Sequence, residues 1–515
     1  MQALKSRAAL LAVLLLGTPG ALPAFGQTVL HVAPPDGAAA AGDGSAARPF
    51  RSLGAAIRAW SVAPLAVPVT IVMAPGTYRE AVEIHGGPAP RLRIRAAVPG
   101  AAVLSGSDVV TVSQRAGATR ITIEQAPVMP LSPIPDGWPA AEIGMPARWR
   151  EMVFHEGSPL LQVERPVALQ PGGFLADRVR GRFEVALPPG ANARRVVLEV
   201  ARRPRLLTIA GAQDIEITGL VFQHANSRMA DAAVVVDGAR RVRITDSVFR
   251  ANNAAGLSVK RSRDITLERN VLNGNGEMGL GMWRVRNALV SGNETSANNW
   301  RGESGGYTGW SSAGMKTVEL YDAVVERHRA RDNRTYGVWF DFNISRVTLR
   351  DSEICDNLRF GVVVEAAQGP VEVSGSRICG NAEGGVLGAE ARGLRLVGNV
   401  IACNGRRQIY VSGQLDRPVA DSFTGARLVL NNAGWEVEGN LLAGRGRERL
   451  VETTLPLARW RGFLAETRLS GNTWLHPSGA AAFAQPARAA DWGVQGAADA
   501  AVEPCAETAP ANDAS

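Results

Sequence analysis

The stretch that decides the fold is Gly337-Val-Trp-Phe-Asp341, which recurs further along the chain as Gly361-Val-Val-Val-Glu365. The glycine that opens this short strand repeats through the centre of the chain, at Gly256, Gly279, Gly314, Gly337, Gly361 and Gly385. The interval is nearly constant except between Gly279 and Gly314, where it is longer. A second β-branched strand keeps the same period, from Ile265-Thr-Leu267 to Leu394-Arg-Leu396. Short strands at a fixed period predict an all-β fold, a right-handed parallel β-helix whose coils bury their apolar faces against one another.

The two-residue alternation of a β-strand divides the residues after each glycine into an inward and an outward set. The first and third positions are mostly apolar, so we expect them in the core. The second and fourth positions should face outward: Ser258, Lys260, Gly281, Trp283, Lys316, Val318, Trp339, Asp341, Val363 and Glu365. Tryptophans on a solvent-facing side are unusual for packing and typical of a surface that stacks sugar rings. Trp283 and Trp339 are therefore candidate substrate-binding residues.

Two carboxylates occupy matching positions of consecutive coils, Asp341 and Glu365. Hydrolysis of a glycoside with retention needs two carboxyl groups about 5 to 5.5 Å apart, and neighbouring strands lie about 4.8 Å apart. Like charges this close raise one of the two pKa values, as a group that donates a proton requires. Lys316, one coil earlier, is placed to balance the charge of Asp341 or to bind a sugar hydroxyl. The pattern predicts a two-carboxylate active site.

The long interval between Gly279 and Gly314 holds an insertion that includes Asn299-Trp300 and the Gly-rich aromatic segment Gly305 to Trp310. A loop inserted one coil before the Asp341 strand is well placed to form a wall or lid, with Trp310 against the substrate. A solvated turn with a small cluster of its own is the alternative, and both interpretations stay open.

The cysteines Cys355, Cys379 and Cys403 are equally spaced, at the period of the coils. Equal spacing predicts one coil position filled three times, a buried ladder. The distance between neighbouring strands also falls inside the window for a disulfide, so one oxidised pair stays open. Cys505, near the end of the chain, has no evident partner.

The flanking regions are less regular. Lys5 and Arg7 precede an apolar run and small residues, which is typical of a cleaved export signal, and no later segment resembles a membrane helix. We therefore expect a periplasmic or secreted protein, without a membrane span and monomeric. The predicted division is residues 1–26 signal peptide, 27–120 amino-terminal cap and first coils, 121–205 inserted small β domain, 206–485 main β-helix, and 486–515 disordered tail.

The formal net charge is +8, from 56 Lys and Arg against 48 Asp and Glu. Lysine occurs only at Lys5, Lys260 and Lys316, and the arginines are scattered along the sequence. Without a clustered basic stripe, we expect no nucleic-acid partner. An acidic glycan stays open as a partner, which the charge alone supports weakly.

Three motifs resemble glycoside hydrolase family 120, β-xylosidases within the pectate-lyase-like right-handed β-helix superfamily: Ala313-Gly-Met-Lys316, Gly337-Val-Trp-Phe-Asp341 and Glu365-Ala-Ala-Gln-Gly-Pro370. The resemblance implies a β-helix with an inserted β domain, with Asp341 as nucleophile and Glu365 as acid/base. It also brings Gln368 into the site, at a position where the family places His. Phe340 and Phe342 depart from the Leu and Trp of the family motif.

Two other functions use the same fold. A polysaccharide lyase or uronan epimerase would bind Ca²⁺ through Asp341 and Glu365 and use Lys316 as a base. Hard-cation sites need more than two oxygen ligands, and the outward face offers no third acid in register. The hydrolase interpretation requires no metal or cofactor. A non-catalytic glycan-binding or surface solenoid is the third alternative. In each case the expected partner is an oligo- or polysaccharide.

Overall fold

The computed structural model describes residues 28–34, 42–63, 67–87, 89–110, 119–191, 196–309, 311–478, 483 and 487–492. The expected signal peptide of residues 1–26 and the candidate Trp310 lie outside the described residues. Within the described ranges, no helix is long and apolar enough to cross a membrane.

The predicted right-handed parallel β-helix is confirmed. Each coil contributes strands to three faces, and the strands of successive coils pair in parallel. Faces 1 and 2 form one continuous sheet of 21 strands, and face 3 is a sheet of 12. Three long strands, Leu280–Ser291, Ala313–Glu326 and Tyr336–Arg350, bend around the corner between faces 1 and 2.

The other strands are shorter and belong to one face each. Face 1 contains Val82–His85, Leu207–Ala210, Ala232–Asp237, Ala255–Lys260, Phe360–Ala367, Gly384–Ala389, Arg407–Ser412 and Arg449–Thr453. Face 2 contains Thr28–Val32, Val69–Met73, Leu92–Ala96, Gln213–Thr218, Arg240–Thr245, Arg263–Glu268, Val371–Ser374, Leu394–Val397, Glu436–Glu438 and Arg468–Ser470. Face 3 contains Gly76–Tyr78, Ala102–Ser105, Leu220–Gln223, Val248–Arg250, Val271–Asn273, Glu294–Ser296, Arg329–Arg331, Glu353–Cys355, Arg377–Cys379, Val400–Ala402, Leu441–Ala443 and Thr473–Leu475.

The interior is filled by the inward set that the alternation predicts. All ten of its members are at most 2% exposed: Leu257, Val259, Leu280, Met282, Met315, Thr317, Val338, Phe340, Val362 and Val364. A ladder of buried asparagines runs along a turn, where Asn333 donates to Asn357 and Asn357 to Asn381, each at 2.8 Å. Because each amide also bonds to backbone, the ladder satisfies turn groups that would otherwise be buried without partners.

The described residues between 107 and 201, which are 107–110, 119–191 and 196–201, form an inserted domain of two small sheets. One sheet is antiparallel and the other mixed: Ser107–Val110, Val153–His155, Ser158–Pro159 and Leu198–Ala201 in the first, Arg120–Ile123, Leu161–Val163, Gly173–Asp177 and Arg182–Ala186 in the second. The domain thus begins before the expected boundary at residue 121. It also contains the helix Met145–Arg148 and the 3₁₀ turns Ala140–Glu142 and Pro166–Ala168.

Both ends of the solenoid are covered by a helix. Leu53–Ser61 begins at the N-cap Ser52 and buries Leu53, Ala56, Ile57 and Trp60 against the first coils. At the other end lies Leu457–Ala465, where Trp460 packs against Trp492 with ring centroids 5.9 Å apart. Because Trp492, in the 3₁₀ turn Ala489–Trp492, is buried, ordered structure extends past residue 485, where the tail was expected to begin.

The cysteine ladder holds for two of its three members. Cys355 and Cys379 are Cα partners and form a disulfide with a Cα separation of 4.6 Å. Cys379 pairs next with Ala402, so Cys403 is displaced by one residue from the predicted position. That coil is one residue shorter than the equal spacing of the cysteines suggests.

Candidate active site

Asp341 and Glu365 are direct Cα partners in neighbouring strands of face 1, as their register predicts. Both stand at the end of the face, immediately before the corner. The pairing slips after Asp341, where Phe342 and Asn343 adopt left-handed conformations with φ of 50° and 57°. Such irregularities bend a strand and redirect side chains beside functional sites. The corner therefore presents two carboxylates side by side, each with part of its side chain exposed.

Lys316 pairs directly with the first carboxylate, with Nζ 3.0 Å from Oδ2 of Asp341. The same ammonium lies 3.3 Å from the ring centroid of Trp339. Trp339 is only 5% exposed, and its ring packs against Tyr336 at 4.7 Å. The expectation that Trp339 faces solvent is therefore wrong. The neighbouring side chains of the outward face cover it, and the tryptophan acts as a support that fixes Lys316 beside Asp341.

Glu365 is set apart from Asp341 by its surroundings. Burial, reinforced by the charge of Asp341, raises the pKa of Glu365. The guanidinium of Arg417 opposes this increase, with Nη1 2.8 Å from Oε1 of Glu365 and 3.3 Å from Oε2 of Glu390. Two neighbouring carboxyls with different environments are the arrangement that separates a proton donor from an ionised nucleophile.

A groove of about 680 Å³ runs along face 1 and ends at Asp341. Its floor is the outward set of four coils, with Glu365 one coil beyond it. The lining residues are Pro135, Asp136, Trp138, Ala230, Asp231, Ala255, Ser258, Lys260, Met278, Gly281, Met282, Trp283, Ser311, Lys316, Val318 and Asp341. Apolar side chains and a few charged groups line the groove together, as in small-molecule binding sites.

Trp283 is the exposed aromatic of this groove, at 36%. Arg261 and Arg284 lie over its ring, with guanidinium carbons 5.6 and 5.2 Å from the ring centroid. The expectation that Trp283 offers its ring to the outward face is met. The arginines hold the ring in place beside the groove.

Gln368 does not line the groove. Its amide donates to the Tyr321 hydroxyl at 2.9 Å, to Oδ1 of Asn343 at 2.9 Å and to Oδ2 of Asp421 at 2.8 Å. Asp421 belongs to a hairpin formed by Arg417–Ala420 and Arg427–Leu430, which packs over the corner next to the carboxylates. Gln368 thus fastens the hairpin that supplies Arg417, an indirect role in the site.

The loop inserted between Gly279 and Gly314 is bound to the inserted domain. Its helix Trp300–Ser304 contributes the buried Arg301, which donates to Asn253 at 3.0 Å and to Gln162 at 3.1 Å. Tyr307 is 2% exposed and stacks with Trp138 at 6.1 Å. The described part of the loop is therefore a wall support, which favours the wall interpretation over a solvated turn.

The structure adds groups that sequence reasoning missed. Trp138 and Asp136 reach the groove from the inserted domain, and Asp231 and Lys260 lie in its distal part. Arg417 arrives from the hairpin, far along the sequence from its carboxylate partner. No periodic pattern marks any of these except Lys260, which occupies an outward position of the repeat. In the described part of the chain, no group of three or more His, Cys, Asp or Glu side chains could hold a metal ion.

Comparison with known proteins places the fold. A family model described as the right handed beta helix region matches residues 232–401. The structure of XylC in complex with xylose is similar at a TM-score of 0.67, with 15% identity over 81% of this chain and 76% of that chain. The Azotobacter vinelandii mannuronan C-5 epimerase AlgE6 A-module has a TM-score of 0.48, with 15% identity over 82% and 88% of the two chains. Comparison with curated protein sequences finds no significant match. The chain is therefore a right-handed parallel β-helix protein.

Proposed function

We propose that this protein is a glycoside hydrolase that cleaves an oligo- or polysaccharide with retention of anomeric configuration. The observation that carries the proposal is the in-register pair Asp341 and Glu365 at the end of a groove, with Lys316 on the first carboxylate and a raised pKa on the second. Retaining hydrolysis needs one carboxylate that attacks and one carboxylic acid that donates a proton, at about the separation of adjacent strands.

The reaction takes two steps. In the first step, a carboxylate oxygen of Asp341 attacks the anomeric carbon while Glu365 protonates the departing glycosidic oxygen, and a covalent glycosyl ester forms. In the second step, Glu365, now ionised, accepts a proton from water, which displaces Asp341 and releases the sugar. Lys316 holds the attacking carboxylate in position through its 3.0 Å contact, and no metal or redox cofactor is required.

The comparisons support a carbohydrate substrate without defining it. XylC, which shares the fold over most of both chains, was solved with xylose bound. The motifs around Asp341 and Glu365 resemble those of family 120 β-xylosidases. We also propose a cellular location outside the cytoplasm. The Cys355–Cys379 disulfide favours an oxidising compartment, in agreement with the export signal expected in residues 1–26. Fractionation of the native host should find the protein in the periplasm or medium.

A panel of aryl glycosides tests the chemistry. The wild-type protein should release the aryl group from at least one sugar and retain the anomeric configuration of the first product. Asp341→Asn should lower kcat/KM on the aryl substrate at least about a thousandfold while the fold is retained. Glu365→Gln should do the same on the corresponding alkyl glycoside, whose leaving group needs a proton. Glu353→Gln, on face 3 and away from the groove, is the matched control and should behave as wild type. Turnover at the wild-type rate in both site variants would refute the proposal.

The polysaccharide lyase or epimerase alternative predicts different products. A lyase forms an alkene that absorbs ultraviolet light and loses activity with a chelator, whereas the hydrolase forms reducing ends and keeps its activity. An epimerase changes the sugar without cleaving the chain. Activity on polyuronate that disappears with chelator, together with no aryl glycoside hydrolysis, would favour that alternative and overturn the hydrolase.

A further inference from the structure

Three arginines stand in register on face 2, one in each of three consecutive coils. Arg240 is the Cα partner of Arg263, and Arg263 is the Cα partner of Arg286. They are one coil apart in the sequence, which is why they look scattered until the coils are stacked. Neighbouring strands are about 4.8 Å apart, so the helix turns isolated arginines into a row of like charge.

No described acid forms a direct ion pair with the row, and Asp214 and Asp322 act on Arg240 and Arg286 only from a longer distance. Four nearby acids are paired with other arginines, as Arg241–Asp214, Arg261–Asp237, Arg284–Glu319 and Arg346–Asp322. Asp264 accepts a hydrogen bond from the amide of Asn287. Arg240 donates to the amide oxygen of Gln213, a neutral group. Like charges directly opposite on a sheet are unfavourable, so the row has a cost in the absence of a bound anion.

The row lines a second cavity of about 440 Å³, beside the groove. Phe423 of the hairpin closes one side, and Arg286 lies over its ring with the guanidinium carbon 4.7 Å from the centroid. Arg261 and Arg284 also line this cavity, and the same two side chains lie over Trp283, which lines the groove. Trp283 and its two arginines therefore connect the groove to the cavity around the corner between faces 1 and 2.

We infer that this cavity is a subsite for an anionic sugar, in which Arg240, Arg263 and Arg286 bind the carboxylate or sulfate group of a glycan whose cleaved bond lies at Asp341. The inference rests on the proposed function and narrows its substrate class to acidic glycans. Arginine suits this task because its planar fork donates two parallel hydrogen bonds to a carboxylate or sulfate. Continuity with the groove through Trp283 favours a glycan over an unrelated anion.

Binding can be measured without turnover in the Asp341→Asn variant, by titration calorimetry. The probes are oligosaccharides of galacturonan, mannuronan and glucuronoxylan, a sulfated oligosaccharide set, and the carboxyl-reduced or desulfated counterpart of each. At least one acidic probe should bind about tenfold more tightly than its neutral counterpart, and this preference should shrink as ionic strength rises from about 0.05 to about 0.5 M. The carboxylate and sulfate arms show which group is recognised.

The row is then reduced to Arg240 with Arg263→Gln and Arg286→Gln together. The double variant should lose the preference for the acidic probe, about tenfold or more, while its affinity for the neutral probe is unchanged. The matched control is Arg250→Gln on face 3, an exposed arginine that, like Arg240, donates to a glutamine. It removes one positive charge outside the cavity, against two in the double variant, and should keep the preference.

Stability gives a second readout that a merely structural role would not produce. Relief of like-charge contact should leave the melting temperature of the double variant unchanged or higher without ligand, whereas loss of a structural contact would lower it. Equal affinity for every acidic and neutral pair would overturn the inference, and so would a preference that survives in the double variant. If the wild-type protein hydrolyses no aryl glycoside, the proposed function is refuted. The binding results do not depend on turnover, so the two failures can be told apart.

Discussion

Replacement of Arg417 by glutamine should move the alkaline limb of the pH profile of kcat/KM to higher pH. In the proposed mechanism Glu365 must carry a proton to act as the acid, so activity should fall as the pH rises through its pKa. Arg417 lies 2.8 Å from Glu365 and favours the ionised form. Without the guanidinium, the pKa of Glu365 rises further, because burial and the charge of Asp341 are then opposed only by Lys316.

The size of the change follows from the geometry. A cation in contact with a partly buried carboxyl lowers its pKa by about 1 to 3 pH units. Arg417 is shared with Glu390 at 3.3 Å, and the side chains of Arg417 and Glu365 are each 25% exposed. Both facts place the effect at the lower end of the range. We expect the limb to move up by about one pH unit, equivalent to about 1.4 kcal/mol.

Glu390 provides a control of opposite sign. Glu390→Gln removes the carboxylate that competes for Arg417, so the guanidinium pairs with Glu365 alone. The pKa of Glu365 should then fall, and the alkaline limb should move to lower pH. Arg417→Lys keeps the charge and should leave the limb close to its wild-type position. The assay is kcat/KM against pH on an alkyl glycoside, whose leaving group needs a proton. A limb that stays in place in both Arg417→Gln and Glu390→Gln would refute the assignment of Glu365 as the acid.

Three further predictions concern the framework of the site. Burial raises the pKa of Glu277 from 4.5 to about 7. Between these two pH values the carboxyl group is protonated in the folded state and ionised in the unfolded state, so the free energy of unfolding falls as the pH rises through this window. Glu277→Gln should therefore raise the free energy of unfolding more at pH 8 than at pH 4, by up to about 3 kcal/mol in urea titrations; an equal effect at both values would contradict this. Asn357→Ala leaves the neighbouring ladder groups without partners and should cost about 1 to 3 kcal/mol on the same assay, whereas an unchanged midpoint would show that the ladder is dispensable. Trp339→Ala should lower the free energy of unfolding by about 3 to 5 kcal/mol because the ring is buried. Trp283→Ala should lower it by less than about 1 kcal/mol and mainly weaken sugar binding. A larger loss of stability in Trp283→Ala than in Trp339→Ala would contradict the placement of the two rings.

The fold could be predicted from the sequence because each coil repeats the same pattern of residue types. A glycine near the start of a strand, inward and mostly apolar residues after it, and an asparagine further on recur at a nearly constant interval. Where one coil is a residue shorter, equal spacing misleads. Cys403 follows Cys379 at the same interval as Cys379 follows Cys355, yet Ala402 is the residue that pairs with Cys379. Period alone fixes a register only to within such single-residue changes.

The site was predictable where its residues belong to the repeat. Asp341, Glu365 and Lys316 follow from strand alternation, since each occupies an outward position of face 1. Exposure was not predictable from alternation, because an outward residue can be covered by its neighbours, as Trp339 is. The contact of Arg417 with Glu365 could not be predicted from the sequence for a different reason. It comes from an insertion, whose place over the solenoid depends on contacts that no period encodes.

The hairpin contacts two of the three residues that depart from the family 120 motifs. Phe342 packs in the apolar cluster beneath the hairpin, and Arg417 lies over its ring, 5.6 Å from the centroid. Gln368 bonds to Asp421 of the same hairpin. Phe340, the third departure, points inward and fills the core. Phe342 and Gln368 are thus in contact with a segment that brings its own cation, Arg417, to Glu365. These contacts change the surroundings of the two carboxyl groups and the pKa of Glu365. The register that places Asp341 beside Glu365 is set by the coils alone.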